Sequence, residues 1–350
     1  MIRNLLAILT FLPPATVAAQ SSPLRVSGFI DTYYAWDDGR PSNIDRAFTT
    51  QAARHSEFNI NLAHVALELS QPNVRARLAL HAGTSVQANY AGEPSNGSVS
   101  GASLARHLQE AVVGVRLSDK VWLDGGIVLS HIGAENWISR DNPTYTRSLI
   151  AEYSPYYQSG AKLTWTPTDK VTALVTVVNG WQNISETNAD KSVGARVDWT
   201  LSPQVAVGYY LLYGNERATG TPSEGRAFNG ATVRWTPTEA VQVTTTADVG
   251  TEDGSTWWGG AVIGRWAMRP NLALAARWET YDDEDQVIIA TNGAAFRATG
   301  FSLGLDRTLR EGVQWRTEVK RLSGQDAVFP DRDALSRTNL LLVTSLALSW

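Results

Sequence analysis

The sequence predicts an all-β fold: a transmembrane, antiparallel, up-and-down β-barrel of about sixteen strands, with fourteen as the fallback. Three observations predict it. Apolar and polar residues alternate with a period of two from Leu24 to Trp350, and no helix-period segment exceeds two turns. Short turns and longer polar stretches alternate along the chain, as the two ends of such a barrel require. Tryptophan is abundant, 13 residues against 2 methionines, which suits aromatic rings standing at two membrane interfaces.

Composition narrows the alternatives. The 350 residues are 43% hydrophobic and 18% charged, with a formal net charge of −4, so the basic excess of a nucleic-acid binder is missing. The absence of cysteine excludes disulfide frameworks, thiolate metal sites and cysteine nucleophiles. No internal apolar run reaches the ~18 residues of a membrane-spanning helix. Residues 1–19 read as a cleaved signal peptide: Arg3 is the positive end, Leu5–Leu12 the apolar stretch, and Val17-Ala18-Ala19 the small-residue cleavage site. Pro13-Pro14 interrupts the run before it could serve as an anchor. Residues 20–350 would then form one barrel in the outer membrane of a Gram-negative bacterium.

Seven tight turns are expected, at Gln71-Pro72-Asn73, Ser118-Asp119-Lys120, Pro167-Thr168-Asp169, Ser202-Pro203-Gln204, Pro237-Thr238-Glu239, Arg269-Pro270-Asn271 and Arg310-Glu311. Eight longer polar stretches alternate with them: 37–57, 91–105, 131–155, 183–189, 216–225, 252–255, 283–294 and 323–336. They separate sixteen strands and leave both termini on the short-turn side. The weakest strand boundaries are 58–61 and 290–299.

Trp165-Thr166-Pro167, Trp199-Thr200-Leu201 and Trp235-Thr236-Pro237 recur at spacings of 34 and 36, and Trp266 follows 31 residues later. Each Trp precedes a tight turn, so each repeat is one hairpin. With the terminal Trp350 these residues are the expected aromatic girdle, where an indole keeps its ring in lipid and its N–H in water. Facing the Trp residues outward fixes the parity. Tyr157, Ala161, Leu163 and Trp165 then face lipid on the sixth strand, with Gln158, Gly160, Lys162 and Thr164 inside. The eighth, thirteenth and fifteenth strands place every charge inside, as a cost of ~2–4 kcal/mol per mid-membrane charge demands. In the second strand Phe58, Ile60 and Leu62 share one parity and Ala63, Val65, Leu67 and Leu69 the other, which calls for a bulge near Leu62 or an extension above the membrane. The last strand ends on an aromatic residue, similar to the signal read by the barrel insertion machinery.

The segment Ser27-Gly28-Phe29-Ile30-Asp31-Thr32-Tyr33-Tyr34 resembles the first strand of the β-barrel porin-2 (OmpL-like) family. The likeness continues through 54–59 (Arg54-His55-Ser56-Glu57-Phe58-Asn59), 87–91, 130–133, Asn142, 146–149, 154–157 and 178–182, covering the N-terminal half densely and the C-terminal half mainly in pattern. The resemblance implies an outer-membrane porin. It carries no reaction, cofactor or defined solute that could be placed on residues here.

Catalytic readings are weak. Gly-x-Ser-x-Gly is absent, and the adjoining Ser130-His131 would face opposite sides of a strand. The five histidines show no metal-ligand spacing, and Asp282-Asp283-Glu284-Asp285 reads as a solvated loop rather than a Ca²⁺ or Mg²⁺ site. No catalytic residue, metal or cofactor is expected.

The inward charges say more, because an inner wall so charged requires water. Basic residues number ten on that wall (75, 77, 116, 162, 196, 234, 265, 277, 316 and 320) against nine acidic (31, 68, 110, 124, 198, 248, 279, 306 and 318), a balance that predicts weak ion selectivity. Candidate pore-lining residues are His81, Glu110, Asp124, Lys162, Arg196, Arg277, Glu279, Arg316 and Glu318. The third long loop, 131–155, mixes apolar residues with Glu135, Arg140, Asp141, Arg147 and Glu152, and is expected to fold into the lumen and set the constriction. The resulting expectation is a water-filled channel passing small hydrophilic solutes by diffusion. The alternatives are a substrate-selective channel with a saturable site at the third loop, and a non-conducting structural or adhesive barrel. Partners would be outer-membrane lipid and lipopolysaccharide, the insertion machinery, small hydrophilic solutes and, left open, further copies of the chain.

Overall fold

In the computed structural model, residues 23–95, 98–99, 105–291 and 293–350 are described. The expected signal peptide lies outside them. Period-two alternation becomes strands β1 (Leu24–Asp37), β2 (Phe58–Ser70), β3 (Val74–Ala82), β4 (Leu108–Ser118), β5 (Val121–Leu129) and β6 (Tyr157–Thr168). There follow β7 (Val171–Val178), β8 (Ser192–Ser202), β9 (Val205–Gly214), β10 (Arg226–Thr238), β11 (Val241–Glu252) and β12 (Ser255–Arg269). The chain ends with β13 (Leu272–Asp283), β14 (Phe296–Arg310), β15 (Val313–Gly324), a small hairpin of β16 (Phe329–Asp331) and β17 (Ala334–Ser336), and β18 (Thr338–Ser349).

Sixteen of these strands form one closed antiparallel barrel, and β16 and β17 pair only with each other. Closure is made by β1 against β18, from Phe29 opposite Ser349 to Asp37 opposite Leu341. All seven expected tight turns lie where the sequence placed them, and β1 starts and β18 ends at that end of the barrel. Closure leaves no edge of the sixteen barrel strands unpaired, which is what a bilayer demands of backbone amides.

Alternation sets the two faces. On β13, Leu274 and Trp278 are exposed on the outside, whereas Ala273, Ala275, Arg277 and Glu279 are buried inside. Trp165, Trp199, Trp235 and Trp266 all stand exposed on the outer face, each opposite a residue that opens a strand just after a short turn: Val121, Val171, Val205 and Val241. Trp350 joins them at that end, its indole filling the space where Gly28 has no side chain, so any larger residue there would displace the ring.

Four expectations need correction. Tyr157 does not face lipid: it is fully buried, stacked on Tyr90 at 4.2 Å and donating to Glu93 (2.8 Å), because the loop end of β6 turns its side chains onto the loops. The stretch 252–255 is no long loop. β11 and β12 pair through Glu252 and Ser255, and Asp253-Gly254 make a two-residue turn with φ of 50° and 83°, the left-handed pair such hairpins use. The second loop starts at Gly83 rather than 91, with a short helix, α1 (Thr84–Asn89). The run 282–285 is not simply solvated, since the buried Asp283 carboxylate accepts from the N–H groups of Val287, Ile288 and Ile289 (2.9, 2.8 and 2.7 Å). On β2 the bulge reading holds: the register shifts opposite Asp31 and Thr32, with Ile60 outside and Asn61 and Leu62 both buried.

Candidate pore site

The third long loop (L3, residues 130–156) lies inside the barrel, for a reason visible in its composition. Trp137, Tyr145, Leu149 and Ile150 are each no more than 3% exposed, and leaving them in water would forfeit roughly 1.5–3 kcal/mol apiece. A 3-10 turn (Ser139–Asp141) and a one-turn helix, α2 (Leu149–Glu152), shape it. The polar backbone of L3 must also find partners, and it finds them on one wall.

That wall is formed by β13, β15, β14 and β1. Arg316 donates from Nε to Asp306 (2.7 Å) and from its two terminal nitrogens to the carbonyls of Ser139 (2.5 Å), Asn142 (3.0 Å) and Pro143 (3.0 Å). Arg277 donates to Glu279 (3.2 Å), Thr144 Oγ1 (2.7 Å), the Thr146 carbonyl (2.5 Å) and Ser302 Oγ (3.0 Å). Glu318 accepts from the Thr146 N–H and hydroxyl (both 2.7 Å), and Glu279 from the Leu149 N–H (2.5 Å). Lys320 bridges Glu279 (3.1 Å) and the Arg147 carbonyl (3.2 Å). Asp31 accepts from Ser139 Oγ and from Asn61, both at 2.8 Å. Every one of these charges has a partner, as burial requires.

A second clasp comes from the first loop. Arg147 pairs with Glu152 (3.0 Å) and lies over the Tyr156 ring (3.7 Å), while Glu152 accepts from the Thr50 N–H (3.0 Å) and hydroxyl (2.6 Å). Gln51 donates to the Trp137 carbonyl (2.9 Å). Within L3, Glu135 accepts from Ser148, and Arg277 stands 4.0 Å away. Burial raises the Glu135 carboxyl above its usual range, against the pull of Arg277 and Ser148.

The opposite wall, β8 to β11, hydrogen-bonds L3 at its root. Arg196 holds Asp198 through two bonds of 2.8 Å and donates to the carbonyls of His131 and Gly133 (both 2.9 Å). The His131 ring packs on the bare Cα of Gly194, where any side chain would strike it. Its Nε2 donates to the Leu211 carbonyl (2.9 Å), and burial lowers its pKa, keeping the ring neutral. Below this root a cavity of about 390 Å³ is lined by Glu135, Arg196, Asp198, Ala206, Thr232, Arg234 and Thr244 among others. Toward the loops the lumen meets an apolar cluster that includes Ile132, Leu149, Tyr210, Phe228 and Trp257.

The candidate pore-lining residues therefore fall into groups. Arg277, Glu279, Arg316 and Glu318 are no more than 1% exposed beneath L3. Arg196 remains partly open to the cavity. On β3 to β6, Asp124 takes two bonds from Arg75 (2.7 and 2.6 Å) with Lys162 at 4.0 Å, and Glu110 pairs with Arg77 (2.5 Å). His81 is buried against Trp137, 4.9 Å between rings. In L3, the side chains of Glu135, Arg147 and Glu152 are buried and those of Arg140 and Asp141 exposed. Asn61 and Gln51, which tie L3 to the wall, carried no sequence signal beyond the parity break at the bulge.

This architecture matches solved outer-membrane proteins. OmpT of Vibrio cholerae superposes with a TM-score of 0.60 at 12% identity, covering 95% of this chain and 99% of its own. The outer-membrane channel DcaP of Acinetobacter baumannii gives 0.60 at 8% (93% and 97%), and an anion-selective porin from Comamonas acidovorans 0.62 at 9% (93% and 99%). At such identities the likeness shows the fold. No curated protein matches the sequence. The family model described as "Putative beta-barrel porin-2, OmpL-like" matches residues 23–350, and the chain belongs to that family of outer-membrane porins.

Proposed function

We propose that the protein is an outer-membrane diffusion channel for small hydrophilic solutes, narrowed by L3 and without catalytic activity. The observation that carries this reading is the polar cavity between L3 and the β8–β11 wall, with partly exposed charges inside a barrel whose outer face is apolar. Export by the 1–19 segment, insertion by the barrel machinery and contact with lipopolysaccharide follow from that placement. Purified protein in planar bilayers should give discrete conductance steps in KCl that rise linearly with salt concentration. A second reading, a barrel closed at its loop end, draws on the apolar cluster above the cavity. Absence of any conductance would support it, and saturating flux would favour a selective channel instead.

A further inference from the structure

The cavity below L3 holds four charged side chains, and three of them are already committed. Asp198 is held by both faces of the Arg196 fork, and Arg196 spends its remaining nitrogen on the carbonyls of His131 and Gly133. Glu135 accepts from the Ser148 N–H at 3.1 and 3.2 Å, and has Arg277 at 4.0 Å. Arg234 is different. It projects from β10 on the inner face, is exposed, and has no carboxylate or carbonyl partner among the described residues.

Its surroundings are donors. Thr244 lies directly opposite Arg234 on β11. Its oxygen accepts from the Gln242 amide at 3.3 Å, which leaves its O–H free to donate into the cavity. Two strands on, Arg265 faces the same lumen, and its nearest carboxylate, Asp306 at 4.0 Å, is already bonded to Arg316 at 2.7 Å. An unspent guanidinium fork beside a free hydroxyl, with both carboxylates of the cavity already beside other cations, is arranged to receive two oxygens of one anion.

We propose that Arg234 and Thr244 form a binding subsite for a small oxyanion, a carboxylate or phosphate, on the water path of the channel. The site rests on the diffusion-channel reading for its position but not for its chemistry. A weakly held anion there would be handed through the lumen, and low-dielectric walls would extend the field of Arg234 across the narrow section.

Two measurements on the full detergent-solubilised barrel and on the same protein in bilayers test it. Calorimetric titration with inorganic phosphate and with acetate at low salt should show saturable binding. Arg234→Gln should weaken it about tenfold or more, and Arg234→Lys less, since it keeps the charge but loses the fork. In a KCl gradient the reversal potential of Arg234→Glu should move toward cation preference. Preference between phosphate and acetate identifies the anion. Equal binding by wild type and Arg234→Gln, or no saturable binding of either anion, overturns the subsite. A wild type that binds but does not conduct would overturn the channel reading and leave the subsite standing.

Discussion

Two walls of the same lumen carry inward arginines, and they use them oppositely. On β13 and β15, Arg277 and Arg316 are almost completely covered, and their nitrogens go to backbone carbonyls of L3. On β8 and β10, Arg196 reaches only the root of L3, and Arg234 has no hydrogen bond or ion pair among the described residues. Arg277, Arg316 and Arg234 share one strand pattern, an arginine facing in beside a tryptophan facing out. What differs is what covers the face. Inward parity decides that a charge avoids lipid; the loop decides whether it meets water or protein.

The largest expected effect comes from removing the cover. Deleting residues 136–146 takes away Ser139, Asn142, Pro143, Thr144 and Thr146, the atoms that Arg316, Arg277 and Glu318 bind. Single-channel conductance should rise at least about twofold, as a filled half of the lumen becomes wet. Unchanged conductance would mean that L3 does not narrow the path.

Single substitutions should separate the walls next. Arg277→Ala leaves Glu279 and Glu318 buried without their central cation, a loss of about 3–5 kcal/mol in the docking of L3. Limited proteolysis should then cut L3 while the barrel persists. Arg234→Ala should leave L3 resistant, because no hydrogen bond or ion pair joins Arg234 to the loop. Equal protease sensitivity of the two variants would erase the contrast between the walls.

The smallest effect concerns acid. Burial lowers the His131 pKa, so the folded state favours the neutral ring. The docking of the L3 root is then fully present above the ordinary histidine value of 6.5 and is lost progressively as pH falls below it. The groups facing the ring are the Leu211 carbonyl, Gln158, Arg196 and Lys162, none of which would stabilise an imidazolium by charge. Current noise should grow between pH 6.5 and lower values in wild type and not in His131→Gln. Noise independent of pH in wild type would remove His131 from the root.

Much of this was legible beforehand. Tryptophans before tight turns fixed the strand ends, and the break of parity at Leu62 located the bulge that buries Asn61. The inward fold of L3 was legible from its mixture of tryptophan, tyrosine and charge. Its direction was not, since alternation names the inner face but says nothing about which part of that face a loop will reach. Tyr157 misled for the same reason: its parity is outward, yet a stack on Tyr90 and a bond to Glu93 decide its place. Asp253-Gly254 was hidden among the polar residues around it, although its left-handed backbone is what an Asp-Gly pair supplies.

The central claim is that L3 seals the β13–β15 wall and leaves the water path along β8–β11. The chain has no cysteine, so a single introduced thiol reports its own position cleanly. Ala206 on β9 lines the open cavity, and Ser302 on β14 is fully buried beneath Arg277. A small charged thiol reagent added to single channels should reduce the current of the Ala206→Cys variant and leave that of Ser302→Cys unchanged. Rapid modification of Ser302→Cys with an inert Ala206→Cys would place the water on the other wall and contradict the assignment.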